Sequence, residues 1–219
     1  MTKDLKYTIF LSNLIKFYLK KLLSLIIAIN VLFIFSSQIT AQTYVYLAKD
    51  SVLWTSNGKI EFTANSFVAL NKEELVVHGF INKQKYLWTK QRLIKFKTGS
   101  EIQFDNQGNV VKGVLAENMN LRSVAGFVNF MAGKPVEFNN EGKVFSGFLL
   151  RNTFLKSGSN LILYKEGSYI LFDEKGNVIQ GILAQKHHLE CNDGKSRNIK
   201  SGTFIHFNKD YKVIYDKKK

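Results

Sequence analysis

The amino-acid sequence predicts an all-β protein built as an antiparallel meander of tandem hairpin repeats, 34 residues each, behind an N-terminal signal helix. Two observations predict the repeats: residue types recur at a fixed spacing, and short apolar segments alternate with polar turns. Composition agrees, because 18 Phe, 9 Tyr and a single Pro among 219 residues favour strands.

The period of 34 is visible as columns of equivalent residues. One column is glycine, at Gly79, Gly113, Gly147 and Gly181. Another is leucine, at Leu53, Leu87, Leu121, Leu155 and Leu189. A third is aromatic, at Phe62, Phe96, Phe130 and Tyr164.

Each central unit contains a hairpin signature, as in GSEIQFDNQGNVVKGVLAEN from Gly99. An alternating segment leads to a polar turn, and a second apolar segment follows. The turns end in Gly108, Gly142 and Gly176, where glycine permits a positive φ, and begin with Asp or Asn, which can bond back to the backbone. Two more short strands complete each unit, and the tight turns require antiparallel neighbours.

These signals define a single β-repeat domain over residues 42–219. Its units span about 59–92, 93–126, 127–160 and 161–195, with a degenerate end at 196–219. At the first unit Asn65 and Glu74 occupy the turn-glycine positions. Because the end units of an open array are atypical, an open array is favoured over a closed ring, with a roll or sandwich as alternatives.

The segment that follows the turn glycine, VVKGVLA at 110–116, is apolar on both alternating faces. Val110 and Val114 share one face, and Val111 and Leu115 share the other. This pattern predicts burial on both faces, with Gly113 marking a bulge or a close approach of another chain segment.

The N-terminal residues 1–41 have the pattern of a signal peptide. A basic region ends at Lys20 and Lys21, the uncharged stretch 22–35 supplies the apolar core, and Ala41 can precede the cleavage site. Cleavage before Gln42 is predicted, and an uncleaved membrane anchor is the alternative. In both cases the repeats are expected outside the cytoplasm, periplasmic or secreted, with no membrane contact apart from an uncleaved N-terminus.

The phrase F-[DN]-x-x-G-x-V-x-x-G, at 104–113, 138–147 and 172–181, resembles the β-hairpin repeats of the MORN type and of related bacterial antitoxin-like proteins. The period of 34 is longer than that of MORN units, and the Tyr-x-Gly-x-Trp core of that family is absent. The resemblance implies an architecture and a binding or scaffolding role, and it carries over no catalytic residue.

Charge points to anionic partners without choosing one. Residues 42–219 hold 26 bases and 16 acids, a net charge of about +10. Only four of the bases are Arg, which disfavours specific nucleic-acid recognition. A purely compositional origin of the lysines is the alternative.

Residues able to carry catalysis are sparse, and the sequence predicts neither an enzyme nor a cofactor. His187 and His188 are adjacent in a predicted strand and face opposite sides, so they cannot chelate one metal ion together. Cys191, the one cysteine, has no disulfide partner within the chain and is predicted to be a small buried residue.

One departure from the repeat suggests a binding site. Trp54 and Trp88 occupy equivalent positions after the repeated leucine, and Tyr86 and Lys90 lie beside Trp88 in the sequence. Such an aromatic and basic patch suits sugars, an anionic envelope polymer or a protein partner. The alternatives are that the tryptophans cover the exposed core of the first units, or that the protein carries a small ligand in an internal cavity.

Overall fold

The computed structural model describes residues 42–214, and every regular element in that range is a β-strand. Ten strands form one antiparallel main sheet: β1 (Thr43–Leu47), β4 (Ser66–Leu70), β5 (Val76–Ile81), β8 (Ser100–Phe104), β9 (Val110–Val114), β12 (Pro135–Phe138), β13 (Val144–Phe148), β16 (Tyr169–Phe172), β17 (Val178–Ile182) and β20 (Phe204–His206). They are neighbours in that order, which confirms an open all-β meander. The predicted leader, residues 1–41, lies outside the described residues.

The other ten strands form five hairpins, which we call the hairpin layer: β2 (Ser51–Thr55) with β3 (Gly58–Phe62), β6 (Lys85–Trp88) with β7 (Leu93–Phe96), β10 (Met119–Ser123) with β11 (Gly126–Phe130), β14 (Thr153–Ser157) with β15 (Asn160–Tyr164), and β18 (His187–Glu190) with β19 (Ser196–Ile199). Each unit therefore alternates a hairpin of the main sheet with a hairpin of the second layer. Single bridges such as Phe62 to Ile81 join the layers.

The two layers meet where an aromatic ring lies on a glycine. Phe96 is fully buried, and a Cβ added to Gly113 would approach its ring to 2.6 Å. The same contact recurs at the other three glycines of that column, with closest ring approaches of 2.8 Å at Gly79, 2.7 Å at Gly147 and 2.6 Å at Gly181. Of the two alternatives predicted for these glycines, a bulge or a close approach to the backbone, the structure confirms the close approach, which an aromatic ring makes. Any side chain there would push the hairpin layer off the sheet.

The predicted burial of both faces of VVKGVLA was wrong. Val110, Gly113 and Leu115 are buried on the side that faces the hairpin layer, while Val111 and Val114 are partly exposed. The reason is a β-bulge: the pairing of β8 with β9 shifts next to Phe104, so one extra residue changes which side chains face the core. Equivalent shifts occur beside Leu70, Phe138 and Phe172.

The turns of the main sheet use the predicted side-chain bonds. Oδ1 of Asp105 accepts hydrogen bonds from the backbone amides of Gln107 and Asn109, each at 2.9 Å. The same pair of bonds is made by the four equivalent residues Asn71, Asn139, Asp173 and Asn208. Glu74 adopts a φ of 60°, the conformation that glycine supplies in the central units.

The tip of each of the first four hairpins packs on a turn about 50 residues further along. The Asn57 side chain donates to the carbonyl of Gly108 at 2.9 Å, and the Gln91 side chain donates to that of Glu141 at 3.0 Å. A Cβ on Gly142 would come within 2.8 Å of Lys90, so this turn position needs glycine for space as well as for its φ. The tips thus connect each unit to the next.

In the fourth of these contacts the glycine is on the hairpin tip and the larger side chain is on the turn, the reverse of the other three. Here the tip residue is Gly158, and the turn residue is Tyr211, whose ring fills the space where a Cβ on Gly158 would lie. The Tyr211 hydroxyl donates to Asp173 Oδ2 at 2.5 Å. Burial alone would raise the pKa of Asp173, but hydrogen bonds from Tyr211 and Asn177 outweigh it and hold that pKa below its usual value.

This lowered pKa predicts an acid-dependent loss of stability. The contribution of Asp173 is fully present above its unfolded pKa of about 4, and it is lost as the pH falls through the lower folded value. Chemical denaturation between neutral pH and about pH 2 should therefore show a shallower decline for Asp173→Asn than for the unsubstituted protein. Asn is compatible with the turn, because Asn139 holds an equivalent one.

Tyr211→Phe is the matched control, since it leaves the carboxylate and removes only the hydroxyl that donates to Asp173 and accepts from Asn177. Losing these two hydrogen bonds should cost about 2 kcal/mol near neutral pH and reduce the acid dependence only in part. Parallel pH curves for Asp173→Asn and the unsubstituted protein would contradict this account of Asp173.

Candidate polymer-binding face of the hairpin layer

The two tryptophans lie on the outer face of the hairpin layer. Leu53 and Leu87 point toward the core, as predicted, and the next residue along each strand points away from it. Trp54 is 58% exposed and Trp88 53%. Rings this exposed do little to cover the core of the first units. Tyr86, two residues before Trp88, shares its face and is also exposed.

Lysine ammonium groups lie over two of these exposed rings. Trp54 pairs across its hairpin with Lys59, whose Nζ lies 4.8 Å from the centre of the ring. Tyr86 pairs with Lys95, whose Nζ lies 5.8 Å from the ring centre. Each arrangement is within cation–π range and holds the lysine beside the ring.

The next two hairpins carry the same chemistry with the strands exchanged. Arg122 pairs with Phe127, and Lys156 pairs with Leu161. Phe127 is 72% exposed and Leu161 60%. In the first hairpins the aromatic residue precedes the tip and the cation follows it, whereas here the cation comes first. We call these four cross-strand sets the cation–apolar pairs: Trp54 with Lys59, Tyr86 with Lys95, Arg122 with Phe127, and Lys156 with Leu161.

The cations of these pairs are available to an outside anion. Within residues 42–214, none of the four forms a salt bridge with a carboxylate, while nearby acids have partners of their own. Glu61 is 2.7 Å from Lys83, and Glu141 is 2.5 Å from Lys143. The hydrogen bond from Lys143 is the main cause that holds the pKa of Glu141 below its usual value, and the charge of Arg122 adds a smaller effect in the same direction.

A groove of about 270 Å³ opens between the second and third hairpins. Its floor is apolar and includes Ile94 and Leu121. Arg92, Arg122 and Phe127 also line it. Two guanidinium groups beside an exposed ring suit a planar anion such as a carboxylate attached to a ring.

Lys90 lies apart from the other predicted site residues. It occupies the tip of its hairpin, where its Cβ contacts the turn at Gly142 and its Nζ lies 3.7 Å from Asp105 Oδ2. Trp54, Tyr86 and Trp88 lie on two neighbouring hairpins, which a 2.7 Å hydrogen bond from Lys85 Nζ to the carbonyl of Lys59 joins. The structure thus brings the three rings onto one face, with Lys59 and Lys95 as their cations.

His187, His188 and Cys191 do not form a common site, and each has a separate environment. Nε2 of His187 accepts a hydrogen bond from the Leu163 amide at 3.1 Å, and burial lowers the pKa of this imidazole. His188 is exposed on the opposite side of the strand. Cys191 is buried, as predicted, and it ends a column of buried hydroxyl residues 34 apart: Thr55, Thr89, Ser123 and Ser157.

No set of three or more His, Cys, Asp or Glu residues in 42–214 is grouped so that it could hold a metal ion. No helix in this part of the chain is long and apolar enough to cross a membrane.

No protein-family model matches the chain, and no curated protein matches it significantly. The likeness to MORN-type hairpins stays a resemblance in local sequence.

Proposed function

We propose that the protein is an exported, non-catalytic interaction module of the cell envelope, and that the outer face of its hairpin layer binds an anionic polysaccharide. The observation that carries this proposal is the recurrence of cation–apolar pairs on four successive hairpins. An acidic sugar polymer offers ring faces for the aromatic residues and carboxylates for the cations.

The spacing of the pairs suits a polymer with a regular repeat. Each unit adds two strands to the main sheet, so equivalent positions recur about every 10 Å along the array. Three of the four pairs occupy such equivalent positions, and the Tyr86–Lys95 pair lies two residues further from its hairpin tip. The groove between the second and third hairpins adds Arg92 and Arg122 near the middle of this face. A long ligand can contact several units at once, and each contact then strengthens the others through effective concentration.

An internal ligand cavity has less support. At four positions the rings of the hairpin layer lie directly on glycines of the sheet, which leaves no space between the layers there. The larger groove, of about 400 Å³, is lined by turn residues such as Asp173 and Tyr211, whose polar groups already bond to each other. A small-ligand carrier would need a site that these contacts do not provide.

The proposed location predicts removal of residues 1–41. When the full chain is expressed in a bacterium, intact-mass measurement of the exported protein should show an N-terminus at Gln42. Ala41→Arg, which places a large charged residue before the cleavage site, should leave the leader attached and the chain in the membrane fraction. Recovery of the unprocessed, unsubstituted chain from the cytoplasm would contradict export.

The binding proposal predicts selectivity for an acidic polysaccharide. At physiological salt the protein should be retarded in affinity electrophoresis by a polyuronate such as alginate and not by neutral dextran. Tyr86→Ala combined with Arg122→Ala should weaken alginate binding by at least about tenfold, because it removes the ring of one cation–apolar pair and the cation of the next.

Matched variants separate this face from general charge and exposed aromatic area. Tyr44→Ala combined with Arg151→Ala removes an exposed ring and an exposed arginine that lie outside the cation–apolar pairs, and it should leave binding unchanged. Equal weakening by both double variants would contradict the assignment, as would retention by dextran equal to that by alginate. Circular dichroism verifies that each variant is folded.

A further inference from the structure

The second large surface of the protein is the face of the main sheet that points away from the hairpins. No element within residues 42–214 covers it, and Phe67 and Phe204 on this face are each 57% exposed. Strand registers align its side chains into two rows that cross the whole sheet. One row runs through the paired residues Tyr46–Phe67, Phe80–Glu101, Val114–Pro135, Phe148–Tyr169 and Ile182–Phe204.

This face has an apolar group at each end and charges in the middle. The first apolar cluster is Tyr46, Phe67 and Phe80, with the rings of Tyr46 and Phe67 5.2 Å apart. The second apolar cluster is Phe148, Tyr169, Ile182 and Phe204, with the rings of Phe148 and Tyr169 5.6 Å apart. Between the clusters lies the central charged group: Glu101, Lys112 and Glu137.

The central charged group sits at the midpoint of the ten-stranded order. Lys112 is on β9 and Glu137 on β12, with five strands from β1 to β9 on one side and five from β12 to β20 on the other. Lys112 Nζ lies 3.4 Å from Glu137 Oε1 and 4.0 Å from Glu101 Oε2. All three side chains keep about a third of their surface exposed, so a second set of charges can approach them.

We propose that this face binds a second copy of the same chain, so that two main sheets pack face to face in a symmetric dimer. A two-fold axis parallel to the strands, between β9 and β12, places Lys112 of each copy against Glu137 of the other. The same rotation places the first apolar cluster of each copy on the second apolar cluster of the other. The surface is therefore complementary to itself, as an isologous interface requires.

The direction of the axis follows from the charges. A two-fold axis along the row that holds Lys112 and Glu137 would set each charge against its own copy, and like-charge contacts oppose association. A parallel axis midway between the two rows would set Lys112 against Val114 and Glu137 against Pro135, which leaves both charges without a partner in the second copy. With the axis parallel to the strands, each row also keeps its position along the strand. Glu101 of one copy then lies beside Phe148 of the other. In each chain the ammonium of Lys134 lies 5.3 Å from the Phe148 ring, so Glu101 also approaches a positive charge.

The area is sufficient for a stable dimer. Ten strands at about 4.8 Å spacing and two rows about 7 Å apart cover roughly 650 Å² on each copy. The total, about 1,300 Å², falls in the range of specific protein interfaces. Both hairpin layers face outward in this dimer, so it leaves the cation–apolar pairs of each copy accessible.

Charge reversal tests the contact between copies separately from the ion pair within each chain. The full chain is expressed and purified in the form that the cell produces. We expect this protein to sediment as a dimer at micromolar concentration. Lys112→Glu and Glu137→Lys should each weaken self-association by at least about tenfold, because each places like charges across the two-fold axis.

An equimolar mixture of the two variants is the deciding measurement. Each mixed pair restores Glu against Lys at both central contacts between copies, while the ion pair within each chain stays broken, so the mixture should form dimers about as tightly as the unsubstituted protein. Lys175→Glu, an equivalent reversal on an exposed turn, should leave dimerisation unchanged. A monomeric unsubstituted protein, or a mixture no tighter than either variant alone, would overturn the proposal.

Discussion

Each central unit of this protein depends on one contact, an aromatic ring that lies on a glycine. Phe62, Phe96, Phe130 and Tyr164 belong to the hairpin layer, and the glycines beneath them belong to the main sheet. With no Cβ in the way, the ring packs against the sheet backbone, and all four rings are fully buried. Tyr164 fits the same position because its hydroxyl bonds to Ser157 at 2.6 Å. Two layers can pack this closely only where glycine recurs with the ring.

The ring-on-glycine contact also divides the surface into two faces with different chemistry. The hairpins cover one side of the main sheet and present their own outer face, where cations stand beside exposed rings. The other side of the sheet has apolar ends and a charged centre. The first pattern repeats from unit to unit, which suits a repeating polymer. In the second pattern an apolar cluster lies at each end, and Lys112 and Glu137 lie on opposite sides of the centre. Such a surface is complementary to a second copy of itself.

Much of the architecture could be predicted because it repeats within the chain. The columns of glycine, leucine and aromatic residues define the units, and the Asp or Asn at each turn bonds as expected. The inward and outward faces of VVKGVLA could not be predicted, since the bulge that changes them is a property of the pairing with β8. The hydroxyl column that ends in Cys191 was present in the sequence and was missed, although its period of 34 could have revealed it.

The surface sites were harder to predict for a physical reason. Trp54, Tyr86 and Trp88 are recognisable as unusual residues, but their cations are defined by pairing across the hairpins. The sequence neighbour Lys90 is instead used at the tip contact. The self-complementary face depends on registers that join strands of different units, such as Lys112 with Glu137. No short sequence pattern contains that information.

A double-mutant cycle at one ring and its glycine tests the central claim most directly. Gly113→Ala should cost about 1–3 kcal/mol in free energy of unfolding, because the new methyl group meets the Phe96 ring. In a Phe96→Leu background the same substitution should cost at least about 1 kcal/mol less, whereas in a Phe130→Leu background, one unit away, its cost should be unchanged within about 0.5 kcal/mol. An equal cost of Gly113→Ala in the Phe96→Leu and Phe130→Leu backgrounds would contradict the claim that the ring-on-glycine contact joins the two layers.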